Sequence, residues 1–145
     1  MQIVYTLQLP PDVESVPLVR GLVRSSMLQL GVLEPCVDDV ALAVTEACAN
    51  VINHAGGAGS EYSVEVEIDP GDCHIRVIDT GGGFDANSAG AAHDFAESGR
   101  GVALMRALVD ELHFIPREHE AGTIVHLTKH LDLDGESPLR ALSGA

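Results

Sequence analysis

Tryptophan is absent from this chain, and two tyrosines and three phenylalanines are its only other large aromatics apart from histidine. The core must therefore rest on Leu, Val, Ile and Ala, and apolar residues make up 46% of the sequence. Basic residues are scarce as well: eight stand against twenty-two acidic ones, for a formal net charge of −14. Nucleic-acid binding by counterion release needs a basic stripe, and anionic lipid needs a basic patch, so neither partner is expected. A basic protein partner is compatible with this balance, as is solubility alone. No apolar run reaches the roughly 18 residues that a bilayer-spanning helix requires. The start, Met1-Gln2-Ile3-Val4-Tyr5, lacks the charged-then-apolar order of a signal peptide. Cys36, Cys48 and Cys73 form no CxxC pair, which fits reduced thiols in the cytoplasm. The seven histidines are scattered, and no zinc site is expected.

A chain of 145 residues fits one domain with a two-layer core. Residues 2–9 alternate apolar and polar, the pattern of a strand, and Pro10-Pro11 ends it. From about Val16 to Leu30, Val19, Leu22, Val23, Met27 and Leu30 recur at helical spacing, with Gly31 placed for a C-cap. A second helix is expected from about Glu34 to Ala55, with Val37, Val40, Ala41, Val44, Ala47, Cys48 and Val51 on one face. Residues 62–69 and 73–79 read as strands joined by the turn Asp69-Pro70-Gly71-Asp72. Residues 80–98 read as a loop with at most a short helical turn, and a helix follows from about Gly101 to Glu111. Two more strands are expected over 112–117 and 122–131. The pattern defines a domain over residues 1–132 and a loose tail over 133–145. One mixed sheet covered by helices is the economical architecture.

Three short motifs could carry chemistry. On the second helix, Asp39, Glu46, Asn50 and Asn53 form a polar stripe opposite the apolar face. Such a stripe is often only solvated. Yet Glu46 and Asn50, one turn apart, can converge on a single bound object. A glutamate can deprotonate a hydroxyl, and an Asn carbonyl oxygen is a hard ligand that suits magnesium. The second motif is Asp79-Thr80-Gly81-Gly82-Gly83 after a strand. A carboxylate there can accept a hydrogen bond from an exocyclic amine such as adenine's, and glycines let a flat base approach the backbone. The third is Gly99-Arg100-Gly101 at the expected start of a helix, where unpaired N–H groups and the dipole suit phosphate. Each alone also fits an ordinary turn or helix start. No GxxxxGK[ST] loop is present, and the glycines do not sit in a dinucleotide-binding unit.

Taken in order, ExxxN on a helix, DxGxG after a strand, GxG opening a helix and Gly122-Thr123 opening a strand resemble the GHKL ATPase superfamily. The match spans about residues 34–130. Within it, TEACANVINHA (45–55), VIDTGGGFD (77–85) and SGRGVALMRALVDEL (98–112) are most similar to the anti-sigma-factor serine kinases of partner-switching systems. The resemblance implies a mixed β-sheet covered on one face by helices, with Mg-ATP held between helices and a lid near residues 84–98. It assigns Glu46 as the catalytic base, Asn50 to Mg²⁺ and Asp79 to the adenine amine. Gly81 and Gly83 admit the base, Gly99 and Gly101 shape the phosphate end, and Thr123 lies near the adenine. Arg100 and His54 are candidates to face the phosphates.

The implied reaction is γ-phosphoryl transfer from ATP to a serine of a small anti-sigma-factor antagonist. The implied partners are that antagonist, a sigma factor and a second copy of the chain. Arg20 and Arg24, one turn apart on the first helix, are a candidate partner patch. Three other functions stay open at this point. One is an ATP-binding regulatory module without transfer. Another is a switch kinase that acts on a scaffold without sequestering a sigma factor. The last is a detached sensor histidine kinase domain, which the lack of a histidine before residue 54 disfavours.

Overall fold

A computed structural model describes residues 1–54, 61–79, 89–118 and 122–143. Strand β1 (Ile3–Leu9) leads into helices α1 (Ser15–Gln29) and α2 (Glu34–His54). Strands β2 (Tyr62–Ile68) and β3 (Asp72–Asp79) follow, then α3 (Ala89–Leu108), β4 (Glu111–Pro116), β5 (Thr123–His130) and a short α4 (Pro138–Ser143). The five strands form one sheet in the order β1-β2-β3-β5-β4.

The α/β two-layer arrangement agrees with the expectation, but the sheet is not mixed: every described pairing is antiparallel. The cause is the position of β5. A crossover through α3 sets β3 and β4 in the same direction, and β5 then hairpins back between them. One potential parallel contact becomes two antiparallel ones. The β2–β3 hairpin forms as its sequence demands. The Asp69 side chain accepts bonds from the amides of Gly71 and Asp72, both at 2.8 Å, and so fixes the turn.

Alternation decides which face is covered. Val64, Val66 and Ile68 of β2, Ile75 and Val77 of β3, and Val125 and Leu127 of β5 are all buried under the helices. Helix α2 lies centrally on this face, between α1 and α3. Its Val37, Val40, Val44, Ala47, Cys48 and Val51 are sealed from solvent. Each fully buried Val contributes roughly 1.5–3 kcal/mol, so this stripe anchors the helix that carries Glu46 and Asn50. The intervening residues Glu67, His74, Arg76, His126 and His113 sit at alternate register positions, on the other face.

Two boundaries differ from the sequence reading. Helix α3 begins at Ala89, well before Gly101, so most of the stretch expected as a loop is helical. Alanine at 89, 91, 92 and 96 supplies helix propensity that the glycine-rich surroundings masked. The expected lid is thus helical over 89–98, and its first residues lie outside the described ones.

The stretch after Leu131 also departs from the loose tail expected of it. Leu133 bridges to Val32, the Asp134 amide donates to Gly31 O at 2.7 Å, and Ser137 Oγ donates to Leu30 O. Leu139 of α4 is fully buried. Gly31 makes this docking possible. At φ +76° it closes α1 with the paired bonds Gly31 N to Leu28 O and Val32 N to Met27 O. A side chain there would strike Ser137.

Candidate nucleotide site

Helix α2 presents Glu46 and Asn50 from one stripe, both half-buried. Neither has a hydrogen-bond or ion-pair partner among the described residues. Helix α3 lies across from Glu46, and a Cβ on Gly101 would come within 3.0 Å of Glu46 Oε2. The glycine therefore leaves the room that the carboxylate occupies. One turn further on, the fully buried Met105 packs α3 onto the core.

The sheet supplies the second half. Asp79 ends β3 and is 4% exposed. Ile78 pairs with Ile124, so Asp79 and Thr123 finish their ladder at the same end of the sheet. Gly122 precedes Thr123 at φ +126°, a backbone region that L side chains avoid. A Cβ there would overlap the Asp79 carbonyl oxygen and crowd Arg117 Cδ at 3.0 Å. Only glycine lets the chain enter β5 this close to Asp79. The Arg117 amide donates to Gly122 O at 3.1 Å and closes the β4–β5 turn around it.

The other expected site residues divide into three groups. Gly81 and Gly83 lie outside the described residues, as does Thr80. His54 is the last residue of α2, and its side chain is likewise outside the described ones. Gly99, Arg100 and Gly101 are the correction: they sit inside α3 rather than at its N-terminus. Amides in a helix interior are spent on bonds to the carbonyls four residues back, so the free N–H argument for phosphate does not hold at these positions. Gly99 and Arg100 are exposed there, and Gly99 has open space around its Cα.

On α1, Arg20 is exposed and without an ion pair among the described residues. Arg24 is engaged within the chain, by Asp38 and by Glu34 at 3.4 Å, both on α2. Its charge serves the α1–α2 contact, and Arg20 is left as the available cation of the pair. The thiols take no part in the site. Cys36, Cys48 and Cys73 are free and buried, and burial pushes Cys48 and Cys73 up to about 12.

One polar residue near this frame belongs to none of the sequence motifs. Lys129 of β5 donates to the Leu108 carbonyl of α3 at 2.8 Å and to Asp39 Oδ2 of α2 at 3.3 Å. It is the chain's one lysine. That singularity was the available signal, because an isolated strand lysine among buried neighbours usually has a fixed partner.

A carboxylate at a sheet end, a glycine-shaped approach to it, and a Glu-Asn pair unengaged among the described residues suit a nucleotide-binding domain of the ATPase type. Residues 9–129 match the histidine kinase-like ATPase domain family, and the chain belongs to that family. The relatives it resembles include the serine-protein kinase RsbW of Halalkalibacterium halodurans, 27% identical over 138 residues, covering 88% of this chain and 83% of the relative. RsbW of Bacillus pumilus is 28% identical over 140 residues, 87% of this chain and 85% of that protein. Among solved structures, the RsbU and RsbW domains of Rv1364c from Mycobacterium tuberculosis superpose with a TM-score of 0.66 at 21% identity. That match covers 89% of this chain and 32% of the other, and it supports the fold.

Proposed function

We propose that this chain is an anti-sigma factor and serine-protein kinase of a partner-switching system, which binds Mg-ATP and phosphorylates a serine of a small antagonist protein. The single observation that carries the reading is the Glu46 carboxylate, half-buried, without a partner among the described residues, and lodged against Gly101. A structural glutamate in such a place would be expected to hold a cation or a helix terminus. A general base must instead stay free to receive a proton. Two relatives of nearly the same extent bear the name serine-protein kinase, which favours transfer to a serine hydroxyl.

In this reading Asp79 accepts the adenine amine, and Thr123 at the same sheet end supports the base. The donor sets fit: a buried carboxylate suits an N–H donor, and the Asn50 amide oxygen suits a hard divalent cation. Bound Mg-ATP supplies the phosphoryl group and the cation that offsets its charge. Glu46 takes the serine proton to its carboxylate and orients the hydroxyl oxygen. Gly101 keeps that carboxylate from being pushed aside. Gly81, Gly83, Gly99, Arg100 and His54 line the rest of the nucleotide in this reading. Arg20 contacts a sigma factor or the antagonist, Arg24 steadies the helix that presents it, and the acting species is a cytoplasmic homodimer.

The test is incubation with Mg-ATP and the antagonist, followed by detection of phosphoserine. Glu46→Gln should lower the transfer rate at least 100-fold while ATP still binds. Full-rate transfer by that variant would remove Glu46 as the base. ATP binding without any phosphoserine from the unaltered chain would leave a regulatory ATP-binding module.

A further inference from the structure

The Glu46–Gly101 contact depends on how α3 sits on α2, yet neither residue fixes that spacing. Beside the packing of Met105, a polar tie joins the two helices two turns away. Lys129 Nζ reaches the last carbonyl of α3, at Leu108, and the Asp39 carboxylate of α2 from a single position on β5. Its side chain is 19% exposed, and these two oxygens are its hydrogen-bond partners among the described residues. A lysine at a helix C-terminus also meets the negative end of the dipole.

The two spacings are equal. Asp39 precedes Glu46 by seven residues, and Leu108 follows Gly101 by seven. The helices run antiparallel, pinned together at one level and meeting at the site two turns away. At a rise of about 1.5 Å per residue that lever is roughly 10 Å long. A tilt of about 5° at the pin would shift Gly101 against Glu46 by roughly 1 Å. A displacement of about that size can cost on the order of 100-fold in a reaction that depends on positioning. Asp79, by contrast, stands on the sheet and not on either helix.

We propose that Lys129 is a positioning residue, which holds α2 and α3 in register so that Glu46 and Gly101 face each other at the phosphate end. The proposal rests on the reading of Glu46 as the base. It predicts that loss of the ammonium harms transfer and spares the adenine end. It also predicts that α3 loosens whether or not the chain transfers phosphate.

Lys129→Met keeps the stem and removes the charge, while Lys129→Arg keeps a cation that can reach both oxygens. Three measurements apply to both variants: hydrogen exchange of the amides of residues 99–108, ATP affinity, and phosphoserine formation per folded molecule. For Lys129→Met the expected result is exchange at least tenfold faster in α3, ATP affinity within about threefold, and transfer slowed tenfold or more. Lys129→Arg should restore most of the protection and the rate.

Unchanged exchange in Lys129→Met, or a full transfer rate per folded molecule, would overturn the proposal. A proportional loss of ATP binding and transfer, tracking only the unfolded fraction, would also overturn it by showing a merely structural role. If the unaltered chain binds ATP but forms no phosphoserine, the kinase reading fails while the exchange result still decides whether Lys129 pins the two helices.

Discussion

Gly122→Ala should damage both stability and nucleotide binding, and its size follows from two terms. The native φ of +126° lies where an alanine is strained by about 1–3 kcal/mol. The new Cβ would overlap the Asp79 carbonyl oxygen, so the ends of β5 and β3 must move apart, taking Asp79 with them. That movement threatens the Arg117–Gly122 backbone bond, worth about 1 kcal/mol. The sum is about 2–4 kcal/mol of lost stability. Urea unfolding followed by circular dichroism should show a lower midpoint at an unchanged slope. ATP affinity, measured by calorimetry where the variant remains folded, should fall at least tenfold because Asp79 is displaced. A loss below about 0.5 kcal/mol, or normal ATP affinity, would mean that the β5 entry can relax without Asp79, and the account of this glycine would be wrong.

Gly99→Ala should have the opposite effect on stability alone: with open space around it inside α3, alanine should raise stability by about 0.5–1 kcal/mol in the same unfolding assay. Gly101→Ala should leave stability within about 1 kcal/mol yet slow transfer, because the flexible Glu46 carboxylate must give way; kcat falling with little change in ATP affinity is the signature to measure. Leu139→Ala should cost about 2–4 kcal/mol, since a buried side chain is removed from a docked C-terminal segment; a loose tail would show no change. Burial, Arg76, His74 and His113 lower the His126 pKa, with Glu111 opposing. The folded state then binds fewer protons than the unfolded one, so this group's stabilisation is complete above about pH 6.5 and lost as pH falls through the folded pKa. His126→Gln should flatten that limb of the urea-midpoint profile, leaving the opposite trend from His130, whose pKa Asp72 raises.

Where periodicity was regular, the sequence was enough. Strand β2 alternates without interruption, β1 breaks the pattern only at Val4 and β3 only at its end, Ile78-Asp79, and α2 carries an unbroken apolar stripe from Val37 to Val51. The Asp-Pro-Gly-Asp turn and the Gly31 cap each name one backbone geometry, and both form. Strand direction was harder, because nothing local in β4 or β5 says that one inserts beside β3. Helix α3 was obscured by its glycines, which read as loop when counted singly. The C-terminal segment was missed for another reason. Its stability comes from a few distant contacts, at Leu30, Gly31 and Val32, and not from any repeat of its own.

The site was legible as chemistry and less so as geometry. Glu46, Asn50 and Asp79 were found because their types and order suit a nucleotide and a metal. What joins them could not be read the same way. Gly122 matters because Asp79 lies against it across the sheet, and Gly101 matters because Glu46 fills the space it leaves. Lys129 matters because two helices distant in sequence end beside it. A motif records which group meets the ligand, whereas these three record how close two pieces of backbone must come. Such distances are set by packing over the whole core, so a change that keeps every motif residue can still separate the adenine end from the phosphate end. That separation distinguishes a chain that holds ATP from one that transfers its phosphate.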